Sequence, residues 1–360
     1  MCATQQKPDS STFARYIISC MIYRSKAPLR IGLAGGGTDV SPYCDLYGGA
    51  ILNATLSLYA NASIEPLEGE QIILEAADRD ETSTWGFEKV LPIDGKLDLL
   101  KGVYNCIQRD FGSITRGFKL STFVDAPAGS GLGTSSTLVV AIIGAFAEML
   151  RLPLGEYDIA QYAYQIERTE LALAGGRQDQ YAATFGGVNY MEFYADDKVI
   201  VNPLRIKQHY LFELENNLVL YYTATSRESA RIIVEQRKNV TSKNESSIEA
   251  MHQLKHQAQL MKEALLKGKL NDFGAILDFG YQQKRKMAEG ISNPLMEEIY
   301  ETAKSAGATG GKISGAGGGG FMIFYCPGNT KHSVIGSLKK FGGRQRSYQF
   351  TEHGLTTWTI

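Results

Sequence analysis

The chain has 360 residues, of which 44% are hydrophobic and 21% charged, with a formal net charge of −1. This length is enough for a large hydrophobic core and favours two domains. The near-neutral charge provides no broad electrostatic surface for nucleic acid, and no apolar run approaches the roughly 18 residues of a membrane span. We therefore expect neither nucleic-acid binding nor membrane insertion.

In the first half of the chain, hydrophobic patterns alternate between strands and helices, which predicts a mixed α and β domain. Strands are predicted at residues 29–34, 50–64, 71–76 and 118–124, and helices at residues 97–111 and 136–150. A further helix is predicted at residues 154–173, ending before Gly175 and Gly176, and a strand at residues 185–193.

The pattern weakens over residues 202–215, and the domain boundary is placed there. The expected units are an N-terminal extension of residues 1–20, a first domain of residues 21–208 and a second domain of residues 209–360. The second domain begins with a strand at residues 218–223 and continues with helices at residues 226–240, 247–267, 272–288 and 294–306. A strand at residues 321–325, a helix at residues 330–340 and final strands complete it.

Five cysteines are scattered along the chain without a Cys-x-x-Cys pair, so neither a disulfide framework nor a zinc knuckle is predicted. Unpaired thiols are typical of a reducing compartment, and we expect a cytoplasmic protein. Cys44 has no evident basic partner and is predicted to be a buried structural thiol.

Residues 127–136 form a glycine-rich turn that opens directly into an apolar helix. Glycine lets the backbone approach an anion without a Cβ clash, and the N–H groups at a helix start attract negative charge. The hydroxyl groups add donors or a ligand for phosphate-bound Mg²⁺, although small residues capping an ordinary helix give the same pattern. The predicted phosphate-binding residues are Pro127, Ala128, Gly129, Ser130, Gly131, Leu132, Gly133, Thr134, Ser135 and Ser136.

Two further glycine-rich segments occupy residues 26–39 and 310–320 and border apolar runs, unlike flexible linkers. The glycines at 315, 317 and 320 match a dinucleotide fingerprint formally. That fingerprint requires a following helix and an acid about 20 residues later, and this sequence predicts a strand and has no such acid. An NAD-dependent oxidoreductase is therefore rejected.

Together the three segments resemble the GHMP small-molecule kinases, whose motif Pro-x-x-x-Gly-Leu-Gly-Ser-Ser matches residues 127–135 with Thr134 as the one difference. The resemblance implies an α+β fold with a ribosomal-protein-S5-like first domain, a ferredoxin-like second domain and an active site between them. Residues 30–39 are most similar to kinases of D-glycero-D-manno-heptose 7-phosphate. Galactokinases have Gly-Glu-His-Thr-Asp where this chain has Gly-Gly-Gly-Thr-Asp, which disfavours galactose.

The resemblance implies ATP-dependent phosphorylation of the anomeric hydroxyl of a heptose 7-phosphate, with Mg²⁺. By position, Asp179 would orient or deprotonate the hydroxyl, and Arg30 would face the transferred phosphoryl group. Ser135 and Glu167 would hold Mg²⁺, with Glu170 as a rival to Glu167. The residues implied at the sugar site are Gly36, Gly37, Thr38, Asp39, Ser314, Gly315, Ala316, Gly317 and Gly318.

The phosphate already on the substrate has several candidate ligands, namely Arg177, Lys312 and the cluster at residues 284–286, although basic clusters are also typical of solvated helix ends. Asp39 has an alternative interpretation as a helix N-cap, and Arg30 as a surface residue. Alternative functions are phosphorylation of L-fucose or another sugar, a decarboxylase of the same fold, and a relative that binds sugar and nucleotide without turnover. ATP consumption with and without a sugar phosphate separates these.

Overall fold

The computed structural model describes residues 21–225 and 229–360, except for the side chain of Ser229. The strands are β1 (Tyr23–Ala34), β2 (Gly49–Pro66), β3 (Gln71–Ala76), β4 (Glu81–Gly86), β5 (Phe118–Val124), β6 (Val188–Phe193), β7 (Val199–Pro203), β8 (Leu218–Tyr222), β9 (Gly310–Ile313), β10 (Phe321–Tyr325), β11 (Arg344–Gln345) and β12 (Thr356–Thr359). The helices are α1 (Tyr43–Tyr47), α2 (Asp98–Phe111), α3 (Thr134–Leu150), α4 (Glu156–Gln165), α5 (Gln178–Phe185), α6 (Gln208–Asn217), α7 (Ser229–Thr241), α8 (Glu245–Lys267), α9 (Leu270–Lys284), α10 (Pro294–Ser305) and α11 (Lys331–Leu338).

The larger sheet is organised around β2, in the order β12-β1-β2-β5-β3-β4, with β6 and then β7 attached to β2. Residues 49–56 of β2 are all buried, whereas buried and more exposed residues alternate after Leu56. Continuous burial is typical of a strand covered on both faces, and alternation of a strand covered on one. The apolar helix α3 packs across β1 and β2, which brings its N-terminus to this sheet.

The smaller sheet is antiparallel, in the order β11-β8-β10-β9. Helices α9 and α10 place Tyr281 and Tyr300 in its core, with ring centroids 4.6 Å apart. The third glycine-rich segment connects β9 to β10 and is therefore presented at one end of this sheet. The predicted α+β fold is confirmed.

Some local predictions were wrong. The predicted helix at residues 154–173 ends at Gln165 and continues as a π-helical turn at Ile166–Glu170. Residues 202–215, where the pattern weakens and the domain boundary is predicted, contain most of α6. The strand predicted from residue 185 begins at Val188, because α5 continues to Phe185 and Gly186 caps its end.

The end of the chain returns to the larger sheet, where β12 pairs antiparallel with β1 and Tyr23 lies opposite Thr359. This differs from the predicted assignment of all residues after 208 to the second domain, because a short strand pattern does not specify its partner.

Cys44 is buried, as predicted, and burial raises the pKa of its thiol to about 12. In the described ranges, no helix combines the length and apolar character needed to cross a bilayer. The predicted extension of residues 1–20 lies outside the described residues.

Candidate active site

The glycine-rich turn before α3 has the backbone conformation of an anion-binding segment. Gly129, Gly131 and Gly133 have φ angles of 71°, 85° and 77°, which residues with a Cβ rarely adopt. Gly133 is the N-cap of α3, and no side chain in the described part of the chain caps the helix. The first N–H groups of α3 are therefore available to an anion, which the helix dipole also attracts.

Two segments hold this turn in place. From β1, the Nη1 group of Arg30 donates to the carbonyl of Gly131 at 2.7 Å. From the third glycine-rich segment, Ser314 Oγ donates to the same carbonyl at 2.8 Å, and directly after this segment the N–H of Phe321 donates to the carbonyl of Ser130 at 2.9 Å. A Cβ on Gly131 would lie 2.5 Å from the carbonyl oxygen of Ser314, so only glycine permits this contact.

Asp179 lies directly beside the turn. Arg30 Nε donates to Asp179 Oδ1 at 2.6 Å, and its Nη2 forms an ion pair with the same oxygen. A Cβ on Gly133 would lie 3.1 Å from Asp179 Cγ. Arg30 is 3% exposed, which excludes its alternative interpretation as a surface residue. The pair places a carboxylate and a cation beside the glycine-rich turn, and a carboxylate in such a position can accept a proton from a hydroxyl group.

Glu167 enters the same site through the π-helical turn, in which the N–H of Leu171 donates to the carbonyl of Ile166 at 3.0 Å. Glu167 is 1% exposed, and its Oε2 accepts a hydrogen bond from Gln180 Nε2. Burial raises the pKa of the Glu167 carboxyl group. Glu170 instead pairs with Arg109 at 2.8 Å, with its side chain 31% exposed. The structure thus separates the two rival acids, because the π-turn brings only Glu167 inward.

Asp39 is buried where the first glycine-rich segment meets the start of α5. Its Oδ2 accepts the N–H groups of Arg177 at 2.9 Å and Gln178 at 3.1 Å. A Cβ on Gly176 would lie 1.9 Å from that oxygen, so glycine is needed there. Burial raises the pKa of the Asp39 carboxyl group, the nearby Asp179 adds to the shift, and the two N–H groups oppose it. Asp39 therefore does act as a cap, but on α5 rather than on the helix that follows it in sequence.

The basic residues predicted to hold the substrate phosphate occupy different surroundings. Arg177 Nη2 forms ion pairs with Asp45 at 3.1 Å and Asp197 at 2.9 Å, away from the site. Lys312 is buried behind the first glycine-rich segment, where its Nζ donates to the carbonyl of Gly32 at 2.6 Å. Lys284 is the one candidate that lines the cavity. Arg177 and Lys312 do not line it, and neither do Arg285 and Lys286, which are exposed.

Arg30, Asp39, Glu167, Asp179 and Lys284 line one cavity of about 270 Å³, together with residues of the glycine-rich turn. The predicted residues that line it are Arg30, Gly37, Asp39, Gly129, Gly131, Gly133, Thr134, Ser135, Ser136, Glu167, Asp179, Gly315 and Ala316. The predicted residues that do not are Gly36, Thr38, Pro127, Ala128, Ser130, Leu132, Arg177, Ser314, Gly317 and Gly318. One of the latter supports a lining residue: Ser314 Oγ donates to the carbonyl of Gly131 at 2.8 Å.

Sequence reasoning missed several lining residues. Arg168 follows Glu167, and its Nη1 lies 3.6 Å from Glu167 Oε1, so its position next to a predicted metal ligand was the available signal. Gln178 stands between two predicted residues. Ile233 and Gln236 reach the cavity from α7, and nothing in their spacing indicated it.

Comparison with known proteins places this geometry in context. The family model for the GHMP kinases N terminal domain matches residues 98–187, and the model for the GHMP kinases C terminal region matches residues 261–343. The chain is 48% identical over 337 residues to the D-glycero-alpha-D-manno-heptose 7-phosphate kinase of Campylobacter jejuni, covering 94% of this chain and 99% of that protein.

Two further relatives differ in their named substrates. The crystal structure of a D-glycero-D-manno-heptose 1-phosphate kinase from Bacteroides thetaiotaomicron has 45% sequence identity and a TM-score of 0.81, covering 94% of this chain and 99% of that one. The L-fucokinase/L-fucose-1-P guanylyltransferase of Bacteroides fragilis is 27% identical over 85% of this chain and 35% of its own length.

Proposed function

The chain belongs to the GHMP kinases, and on that premise we propose that it uses ATP to phosphorylate the anomeric hydroxyl of D-glycero-D-manno-heptose 7-phosphate, giving the 1,7-bisphosphate. The 48% identity to a heptose 7-phosphate kinase over nearly the whole chain supports this substrate class. The Bacteroides thetaiotaomicron relative is named for a heptose 1-phosphate, so the position of the substrate phosphate is part of the test.

The observation that carries the proposal is the contact between Asp179 and the turn. The carboxyl carbon of Asp179 would be 3.1 Å from a Cβ on Gly133, and Arg30 binds both Asp179 and the carbonyl of Gly131. If the N–H groups of the turn bind a triphosphate, its terminal phosphate would lie beside the carboxylate of Asp179 and the guanidinium group of Arg30. Asp179 would accept the proton of the attacking hydroxyl, while Arg30 would face negative charge on the transferred phosphoryl group.

Mg²⁺ fits the oxygen donors beside the turn. Ser135 lies in the first turn of α3 and lines the cavity together with the carboxylate of Glu167. A buried carboxylate requires compensation by charge or hydrogen bonds, and Mg²⁺ commonly takes one or two protein oxygens beside phosphates and waters. When bound there, the ion would neutralise charge on the phosphates.

The acceptor sugar would lie on the opposite side of the cavity. Asp39 is held by two backbone N–H groups, which fix its carboxylate as an acceptor for sugar hydroxyls. Gly37 lines the cavity as well, and a Cβ there would lie 2.6 Å from Met287 Cε, so glycine is needed at this position. In this arrangement Asp39 positions the acceptor and Asp179 activates it.

A panel of acceptors tests the function. ADP release is measured with heptose 7-phosphate, heptose 1-phosphate, free heptose, L-fucose and mevalonate, and phosphorus NMR assigns the product. The proposal requires the fastest turnover with heptose 7-phosphate and a new phosphate on the anomeric carbon. Binding of sugar and nucleotide without ADP release would instead establish a relative without turnover, and preferred turnover of L-fucose would establish a fucokinase.

A further inference from the structure

The cavity contains cations with different partners. Arg30 is paired with Asp179, and Arg168 Nη1 lies 3.6 Å from Glu167 Oε1. Both cations thus face carboxylates on the side of the cavity next to the glycine-rich turn. Under the proposed function, the phosphate already on the acceptor needs a different cation, because these two are engaged where phosphoryl transfer would occur.

Lys284 has no such partner. It is 3% exposed at the end of α9, its Nζ donates to the carbonyl of Gly315 at 2.7 Å, and the carbonyl of Gly36 lies 3.5 Å away. Within the described ranges, no carboxylate lies within ion-pair distance of this ammonium group. Burial without a counterion is unfavourable for a charged group, and Lys284 nevertheless lines the cavity.

Gln236 supplies a second donor nearby. It is 2% exposed on α7, and its Nε2 has no hydrogen-bond partner among the residues that the structure describes. It approaches the cavity beside Gly37, where a Cβ would lie 3.5 Å from Gln236 Oε1, while a Cβ on Gly36 would lie 3.4 Å from Lys284 Nζ. The ammonium and the unpartnered amide therefore flank two consecutive glycines of the first glycine-rich segment. Buried polar groups without partners are rare in folded proteins, and this one is available to a ligand.

We propose that Lys284 and Gln236 bind the phosphate group that the acceptor carries before the reaction, and that they make the enzyme select a phosphorylated sugar over the free sugar. This inference rests on the proposed function. A sugar hydroxyl group donates as well as accepts hydrogen bonds, and the carboxylate of Asp39 already provides an acceptor for it. An ammonium group and an amide N–H are both donors, and this combination suits a phosphate oxygen.

The test compares dissociation constants for heptose and heptose 7-phosphate, measured by calorimetry with a nonhydrolysable ATP analogue present. The variants are Lys284→Met, Gln236→Leu and the control Lys286→Met, which alters an exposed lysine of the same segment. A charge-assisted hydrogen bond contributes enough that Lys284→Met should reduce the preference for the phosphorylated sugar by roughly 10- to 100-fold, and Gln236→Leu by roughly 3- to 10-fold. Lys286→Met should leave the preference unchanged.

The outcomes distinguish a ligand-binding lysine from a structural one. If the affinity for both sugars falls equally and the midpoint of urea unfolding is lower, Lys284 serves only to link the backbone at Gly36 and Gly315, and the inference is overturned. Unchanged preference in a folded Lys284→Met variant would overturn it as well. If the wild-type protein instead turns over only acceptors without a phosphate, the proposed function itself fails, which is a separate result.

Discussion

The two sides of the cavity are built in different ways. The proposed nucleotide side lies within ten consecutive residues, 127–136, where three glycines with positive φ leave backbone N–H groups available to an anion. The proposed acceptor side is assembled from side chains on the first glycine-rich segment, α5, α7 and α9. A contiguous backbone site leaves its pattern in the sequence, whereas a site assembled from distant helices does not. Asp179 and Arg30 lie where the two sides meet.

The largest expected effect is at that junction. Asp179→Asn preserves size but removes the base, so kcat should fall by about 10³-fold, within the range typical of general base catalysis. The KM for ATP should change little, because backbone groups bind the phosphates. Steady-state ADP release measures both parameters, and Asp272→Asn, on the exposed surface of α9, is the matched control. Nearly unchanged turnover in a folded Asp179→Asn variant would remove this residue from the mechanism.

A smaller loss is expected from the predicted metal ligand on the nucleotide side. Glu167→Gln removes the buried negative charge, so we expect kcat to fall by about 10²-fold and the Mg²⁺ concentration for half-maximal rate to rise. Glu170→Gln is the control, because Glu170 lies on the surface and pairs with Arg109. Equal Mg²⁺ requirements in the two variants would refute the assignment of Glu167.

The backbone character of the nucleotide side can be tested at a single glycine. In Gly131→Ala, the new Cβ would lie 2.5 Å from the carbonyl oxygen of Ser314, in addition to the strain of its φ of 85°. We expect a KM for ATP raised by about tenfold and a free energy of unfolding lower by more than 2 kcal/mol. Gly328→Ala shares a positive φ but has open space around it, so it should lose only about 1 kcal/mol. Similar urea unfolding midpoints and ATP constants in the two variants would contradict the close contact.

The contrast between a contiguous and an assembled side also explains which site residues could be predicted from the sequence. The glycine-rich turn, Arg30 and Asp179 were all named from the sequence, because a known motif fixes them within short segments. The inward position of Glu167 depends on a π-helical turn that periodicity does not reveal. Gln236 reaches the cavity only through the packing of α7, and Lys284 was one of several indistinguishable basic candidates until its burial was known.

The last expected effect is a pH dependence on the acceptor side. Burial lowers the pKa of Lys284 to about 8, Arg30 lowers it further, and Asp39 opposes the shift. Above that pH the ammonium group loses its proton, so affinity for heptose 7-phosphate should weaken by up to tenfold per pH unit, while affinity for free heptose should not. Among the neighbouring groups, burial also lowers the pKa of Lys312 and raises the pKa of Asp39.

Calorimetry between pH 7 and 9.5 measures this dependence, with Lys284→Met as the reference. The difference between the two sugars should shrink as pH rises in the wild-type protein and stay flat in the variant. A slope that survives in Lys284→Met would assign the titration to another group, with Lys312 as the first candidate because burial lowers its pKa well below the usual value.

A crystal structure with a nonhydrolysable ATP analogue, Mg²⁺ and heptose 7-phosphate tests the central claim most directly. We predict that the triphosphate lies on the backbone N–H groups of residues 129–136, with its terminal phosphorus facing the anomeric hydroxyl beside Asp179. A triphosphate bound elsewhere, or a turn closed by packed side chains with the nucleotide excluded, would contradict the kinase mechanism.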